Sequence, residues 1–100
     1  MLEHLSAEQP RNRIIVTVIG QDTVGIIARV SGILAENNVN ILDISQTILQ
    51  EFFAMVMIAD MQKSTIDLGV LKEKLTDLGK EMCVKIDAQH EDVFRYMHRI

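Results

Sequence analysis

In this chain of 100 residues, Gly20-Gln21-Asp22-Thr23-Val24-Gly25 is the stretch whose residue types could hold a ligand. It follows an apolar run and precedes residues at helical spacing. Asp22 therefore falls where a helix N-cap would, and Gly25 removes a side chain beside the first free helical N–H groups. Free N–H groups near Val24, Gly25 and Ile26 make a small electropositive pocket suited to a carboxylate. Two roles are open to Asp22 beside it: plain cap of the helix, or acceptor for an ammonium group. Gly25 likewise serves either ligand approach or close packing of helix on sheet. Asn40 is the second polar candidate, and it opens a strand at the far end of the same helix. A helix of about fifteen residues is about 22 Å long, so within one chain Asn40 cannot reach the Asp22 turn and only a second subunit would bring it there.

Catalytic chemistry finds little footing elsewhere. His4, His90 and His98 sit in polar or terminal stretches with no carboxylate or nucleophile in a triad or metal motif. Ser31 and Ser45 lack a nucleophile elbow, no Walker lysine follows the glycines, and Gly20 with Gly25 is no dinucleotide fingerprint. Glu81, Asp87, Glu91 and Asp92 fall on outward faces or caps, where solvation accounts for them. Cys83 is the single cysteine; it has no CxxC partner and reads as a small strand residue. The methionines, among them Met55, Met57 and Met82, read as adaptable core filler. These residues predict a non-enzyme without metal or cofactor.

Composition narrows the partners. The formal net charge of -4 argues against a nucleic-acid binder, which needs a basic face. No apolar run reaches twenty residues, and Met1 to Pro10 has neither a positive start nor an apolar core, so neither a signal peptide nor a membrane anchor is expected and the location is predicted as cytoplasmic. A hydrophobic content of 48% over this length supports one compact domain and not two.

The elements that position the candidates follow from periodicity. Residues 1–12 read as a flexible arm and 13–100 as a single domain. Strand one, 13–19, is apolar on both faces and so central; a helix over 23–37 carries Ile26, Ile27, Val30, Ile33 and Leu34 as its buried stripe. Asn37 and Asn38 can take the left-handed conformation that ends a helix without glycine. Strand two places Leu42, Ile44 and Ile48 opposite Asp43, Ser45 and Thr47, the pattern of an edge. Gln50-Glu51 is too short for a crossover and predicts an antiparallel hairpin into the wholly apolar strand Phe52 to Ala59. Ser64 and Asp67 resemble a capping box before Leu68, Leu71, Leu75 and Leu78, with Gly79 closing the helix. The last strand alternates Met82, Val84, Ile86 and Ala88 inward with Glu81, Cys83, Lys85, Asp87 and Gln89 outward. Val93, Phe94, Met97 and Ile100 then predict a short amphipathic helix, 91–99, that either packs on its own sheet or supplies a dimer contact.

This order gives an α+β, ferredoxin-like βαββαβ fold: a four-stranded antiparallel sheet, two helices on one face, and a C-terminal helix. The two central strands are apolar front and back while two helices cover one face. The other face must be hidden by the last helix, by a second chain or by both, and a homodimer is predicted.

Asp22-Thr23-Val24-Gly25-Ile26-Ile27-Ala28, the helix ending in Asn37-Asn38, and Val39-Asn40-Ile41 together resemble the ACT domain, a ligand-binding regulatory module with this order of elements. The likeness covers residues 13–89. It is strongest to small stand-alone bacterial ACT proteins and more distant to the ACT halves of the glycine cleavage system repressor. The resemblance implies homodimers, formed through side-by-side sheets or packed helices, with amino acids or similar effectors held at the subunit interface. Carried to this sequence, the implied ligand residues are Gln21, Asp22, Thr23, Gly25 and Ile26 from one chain and Asn40 and Ile41 from its neighbour. Val24 departs from the proline of many regulatory members, and Gly20 stands where some amino-acid binders have a polar contact. The expected function is a regulatory sensor acting on a separate protein. The alternative is a protein interaction module with an empty pocket.

Overall fold

The computed structural model describes residues 12–21 and 24–93. Its elements are β1 (Arg13–Gln21), α1 (Ile26–Glu36), β2 (Asn40–Leu49), β3 (Phe52–Asp60), α2 (Leu68–Met82) and β4 (Val84–His90). The four strands form one antiparallel sheet in the order β2-β3-β1-β4, so β1 and β3 are central and β2 and β4 are edges, as the two-faced and alternating patterns predicted. This is the expected βαββαβ arrangement.

Alternation decides which side of the sheet is dry. Ile14, Val16 and Val18 of β1 and Phe53, Met55, Met57 and Ala59 of β3 are buried, together with Ile86 and Ala88 of β4. Ile26, Val30 and Leu34 of α1 and Leu71, Leu75 and Leu78 of α2 complete this core from above. Each such aliphatic side chain contributes about 1.5–3 kcal/mol when taken fully out of water. Intervening residues point to the other face, where Ile15 and Ile58 are half-buried and Ile19 is 56% exposed.

Several boundaries differ from expectation. β1 runs on through Gly20 to Gln21, because Gly20 is a close approach of β4 and not a break: a Cβ there would stand 2.8 Å from Val84 Cγ1. α1 starts at Ile26 and not Thr23. Gly25, at φ 86°, is its N-cap in the left-handed region, which a helical residue cannot occupy. The other end follows the sequence closely. Asn38 takes φ 61°, its N–H donates to Ala35 O and the Val39 N–H to Leu34 O, the paired bonds of a Schellman motif.

At α2 the cap is Asp67 itself, whose carboxylate accepts from Val70 N at 2.9 Å. Ser64 makes no capping box; its hydroxyl donates to Ile66 O and accepts from Ile66 N. Gly79 does not end the helix. It is buried inside it, where a Cβ would come within 2.7 Å of Val84 O. The helix instead ends at Met82, which is not a strand residue. Cys83 is an exposed C-cap at φ 59° rather than part of the strand. Glu91–Val93 are helical after β4; the rest of the expected C-terminal helix, and the expected arm up to residue 11, lie outside the described residues.

Candidate functional site

The predicted site residues fall in two groups at opposite ends of the sheet. Gln21 ends β1, is exposed and pairs with Phe52, which in turn pairs with Leu49 of β2. Asn40, also exposed, opens β2 and pairs with Asp60, which pairs with Arg13 at the start of β1. From Arg13 to Gln21 is eight steps of strand, roughly 26 Å at about 3.3 Å per residue. The structure therefore does not bring the two groups together within one chain.

At the Gln21 end, Gly25 presents bare backbone, with nothing within 4 Å of where a Cβ would stand. The first intrahelical donor is Arg29 N, which bonds Gly25 O at 2.9 Å, so the N–H groups of Ile26, Ile27 and Ala28 have no partner inside the helix. No acidic side chain stands in the first turn of α1. The positive end of the helix is thus presented beside exposed backbone, an arrangement that favours an anionic group. Ile26 as a whole residue is 3% exposed and belongs to the core, so its side chain is not a ligand contact. Asp22 and Thr23, the polar side chains assigned to this turn, lie outside the described residues.

At the other end, the Asn37-Asn38 turn fixes where β2 begins. Asn38 Nδ2 donates to Lys63 O at 2.8 Å, and Thr65 N donates to Asn37 O at 3.0 Å, tying the turn to the segment before α2. Ile41 packs against the core, opposite Ala59. A bulge between Ile41 and Asp43 makes Leu42 the extra residue, and Asp43 Oδ1 accepts from Ile44 N at the strand's own edge.

Sequence reasoning missed an apolar ledge beside this edge. Ile44 and Ile48 pair with buried Met57 and Phe53 and so lie on the helix side, yet they are 42% and 57% exposed. Leu42, Val24 and Ile27 are exposed as well. The signal was in the order of elements: an eleven-residue helix packed against α2 cannot also roof a ten-residue edge strand.

Among the described residues, open hollows lie elsewhere. One, about 490 Å³, is lined by Thr76, Lys80, Cys83 and Lys85 on α2 and β4; another lies between the helices beside the Arg29–Glu81 pair. Neither includes a predicted site residue. Among the described residues no group of three potential metal ligands occurs, and His90 Nδ1 accepts from Asp92 N. No helix among them is long and apolar enough to cross a membrane.

The family model of the ACT domain matches residues 12–89, the whole sheet and both helices up to the penultimate residue of β4. This chain belongs to the ACT domain family. A UPF0237 family protein of Methanocaldococcus jannaschii is 53% identical over 89 residues, covering 89% of this ACT chain and 99% of that protein. The solved ACT domain protein from Streptococcus pneumoniae is 38% identical, with a TM-score of 0.74 over 85% of this chain and 96% of the other. A structure described as a glycine cleavage system transcriptional repressor shares the fold at 18% identity and TM-score 0.70, over 82% of this chain and 47% of that one. The archaeal relative corrects one expectation: the group to which this ACT domain belongs is not confined to bacteria.

Proposed function

We propose that this ACT domain is a regulatory module that binds an amino acid or similar small effector between two copies of itself and acts on a separate protein. The separation of the two residue groups carries the reading. β2 is an edge strand, and a two-fold axis that pairs two such edges must run them antiparallel. With ten residues from Asn40 to Leu49, full overlap sets Asn40 of the partner subunit against Leu49, at the end of the sheet where Gln21 and the α1 N-terminus stand. One cleft then joins a positive helix end to an asparagine amide, at each end of the paired strands. The ledge of Leu42, Ile44 and Ile48 gives that pairing apolar area to bury. An α-amino acid suits such a cleft. Its carboxylate meets backbone N–H groups and its ammonium meets the oxygens of Asn40 and Asp22.

Binding signals only when two arrangements of the dimer differ in affinity for the effector, and the two-chain cleft provides for that difference. The test is thermal unfolding with each of the twenty amino acids at millimolar concentration. At least one raises the melting temperature, by the equivalent of about 1 kcal/mol or more. Asp22→Ala and Asn40→Ala each remove the shift. A flat screen contradicts the proposal.

A second reading has the same ledge as its support: a protein interaction module whose pocket stays empty. It predicts that Asp22→Ala and Asn40→Ala leave every captured partner unchanged, whereas Ile44→Glu loses them.

A further inference from the structure

The β2 edge alternates in two ways at once. Ile44, Gln46 and Ile48 stand opposite buried Met57, Met55 and Phe53 and lie on the helix side, while Asp43, Ser45 and Thr47 stand opposite Ile58, Val56 and Ala54 on the open side. The backbone alternates with them. Ile44 N–H donates to the Asp43 carboxylate at 2.9 Å and so is turned to the free edge, which assigns the edge-facing donors and acceptors to Ile44, Gln46 and Ile48. The bulge at Leu42 resets both alternations, so that Ile41, opposite buried Ala59, joins the helix-side, edge-facing set.

We infer, resting on the edge-paired dimer proposed above, that the two β2 strands meet in one register, with Ser45 on the two-fold axis. Ile44 then lies against the partner's Gln46, Asp43 against the partner's Thr47, Ile41 against the partner's Ile48 and Asn40 against the partner's Leu49, with Leu42 the one residue unpaired. Two straight strands could not do this. Pairing Asn40 with Leu49 and counting residue for residue would set Ile44 against Ser45, opposing the helix side to the open side and an edge-facing N–H to a backbone turned inward. One extra residue in each strand restores the match, once at each end.

Neighbouring registers lose contacts. An axis at Ile44 or at Gln46 keeps both alternations but leaves Ile48 and Leu49, or Asn40 and Ile41, without partners. Charge points the same way. Asp43 is the one charged residue of β2, and in the register about Ser45 the two carboxylates are about 13 Å apart along the strands, each beside a Thr47 hydroxyl able to donate. An axis at Ile44 brings them to about 7 Å, and one at Asp43 sets them face to face. On pairing, Ile44 N–H passes from the Asp43 carboxylate to the carbonyl of the partner's Gln46. Ile48, 57% exposed in one chain, gains the partner's Ile41 beside it.

Cysteine cross-linking of the full chain reads the axis directly. Cys83→Ser is introduced first, so that each sample carries one thiol, and Ile44→Cys, Ser45→Cys and Gln46→Cys are then oxidised separately at equal concentration. Ser45 pairs with itself at a non-hydrogen-bonded position, where Cα atoms about 4.5 Å apart admit a disulfide. Ser45→Cys therefore forms covalent dimer at least tenfold faster than either neighbour. Faster cross-linking at Ile44→Cys or Gln46→Cys moves the axis and overturns this register while edge pairing stands. A chain that sediments as a monomer, or as a dimer that cross-links at none of the three, overturns the register and the edge-paired reading beneath it.

Discussion

Three glycines do two different jobs. Gly25 needs its left-handed φ of 86° and has open space around it; Gly20 and Gly79 need the absence of a side chain because β4 comes against them. For Gly79 the neighbour is a backbone carbonyl, Val84 O, at 2.7 Å from a built Cβ, and a carbonyl in a strand does not move aside. Gly79→Ala therefore destabilises the fold by about 1–3 kcal/mol in urea unfolding, as overpacking does, although alanine is the better helix former. A variant as stable as its parent would show that α2 slides freely on β4. Asp67→Ala removes the acceptor of Val70 N and costs about 1 kcal/mol by the same measurement. Asp67 at the start of α2 and Gly25 beside the start of α1 were legible in the sequence; the part Gly79 plays was not. Gly79 after a leucine stripe has the look of a helix end, and only the approach of β4 distinguishes a packing glycine from a terminating one. Asp22 has the look of an N-cap, yet Gly25 holds that place because its φ forbids an earlier start.

The elements themselves were legible, because strand and helix periods differ and the chain keeps to each. β1 and β3 are apolar at nearly every position and lie in the middle; β4 alternates and lies at an edge. Asn37-Asn38 ended α1 as side chains tolerant of left-handed backbone do. What alternation did not reveal was how far each element is covered. The apolar residues of β2 predict a buried side, and the structure leaves Leu42, Ile44 and Ile48 in solvent. That ledge is the place to break self-association without harming the fold. Ile44 is 42% exposed, so Ile44→Glu leaves the monomer's unfolding midpoint nearly unchanged, and sedimentation equilibrium shows a change from twice the 11.3 kDa chain mass to that mass alone. An Ile44→Glu chain that still pairs would place the contact elsewhere.

At the scale of the molecule, a sheet with helices on one side has apolar surface to hide, and the proposed function answers it with a second copy at the β2 edge. Under that proposal only a second copy completes a cleft, since one sheet holds Gly25 and Asn40 at its opposite ends. Mixing chains tests this most directly. Asp22→Ala and Asn40→Ala are prepared separately, each unable to bind the amino acid that most stabilises the parent, then mixed in equal amounts and allowed to exchange. Half the dimers pair one variant with the other, and in each of these one of two clefts takes both of its intact residues from different chains. Calorimetry of the mixture then recovers about one quarter of the parental sites at parental affinity. A mixture that binds no more than its components contradicts a cleft shared between two chains.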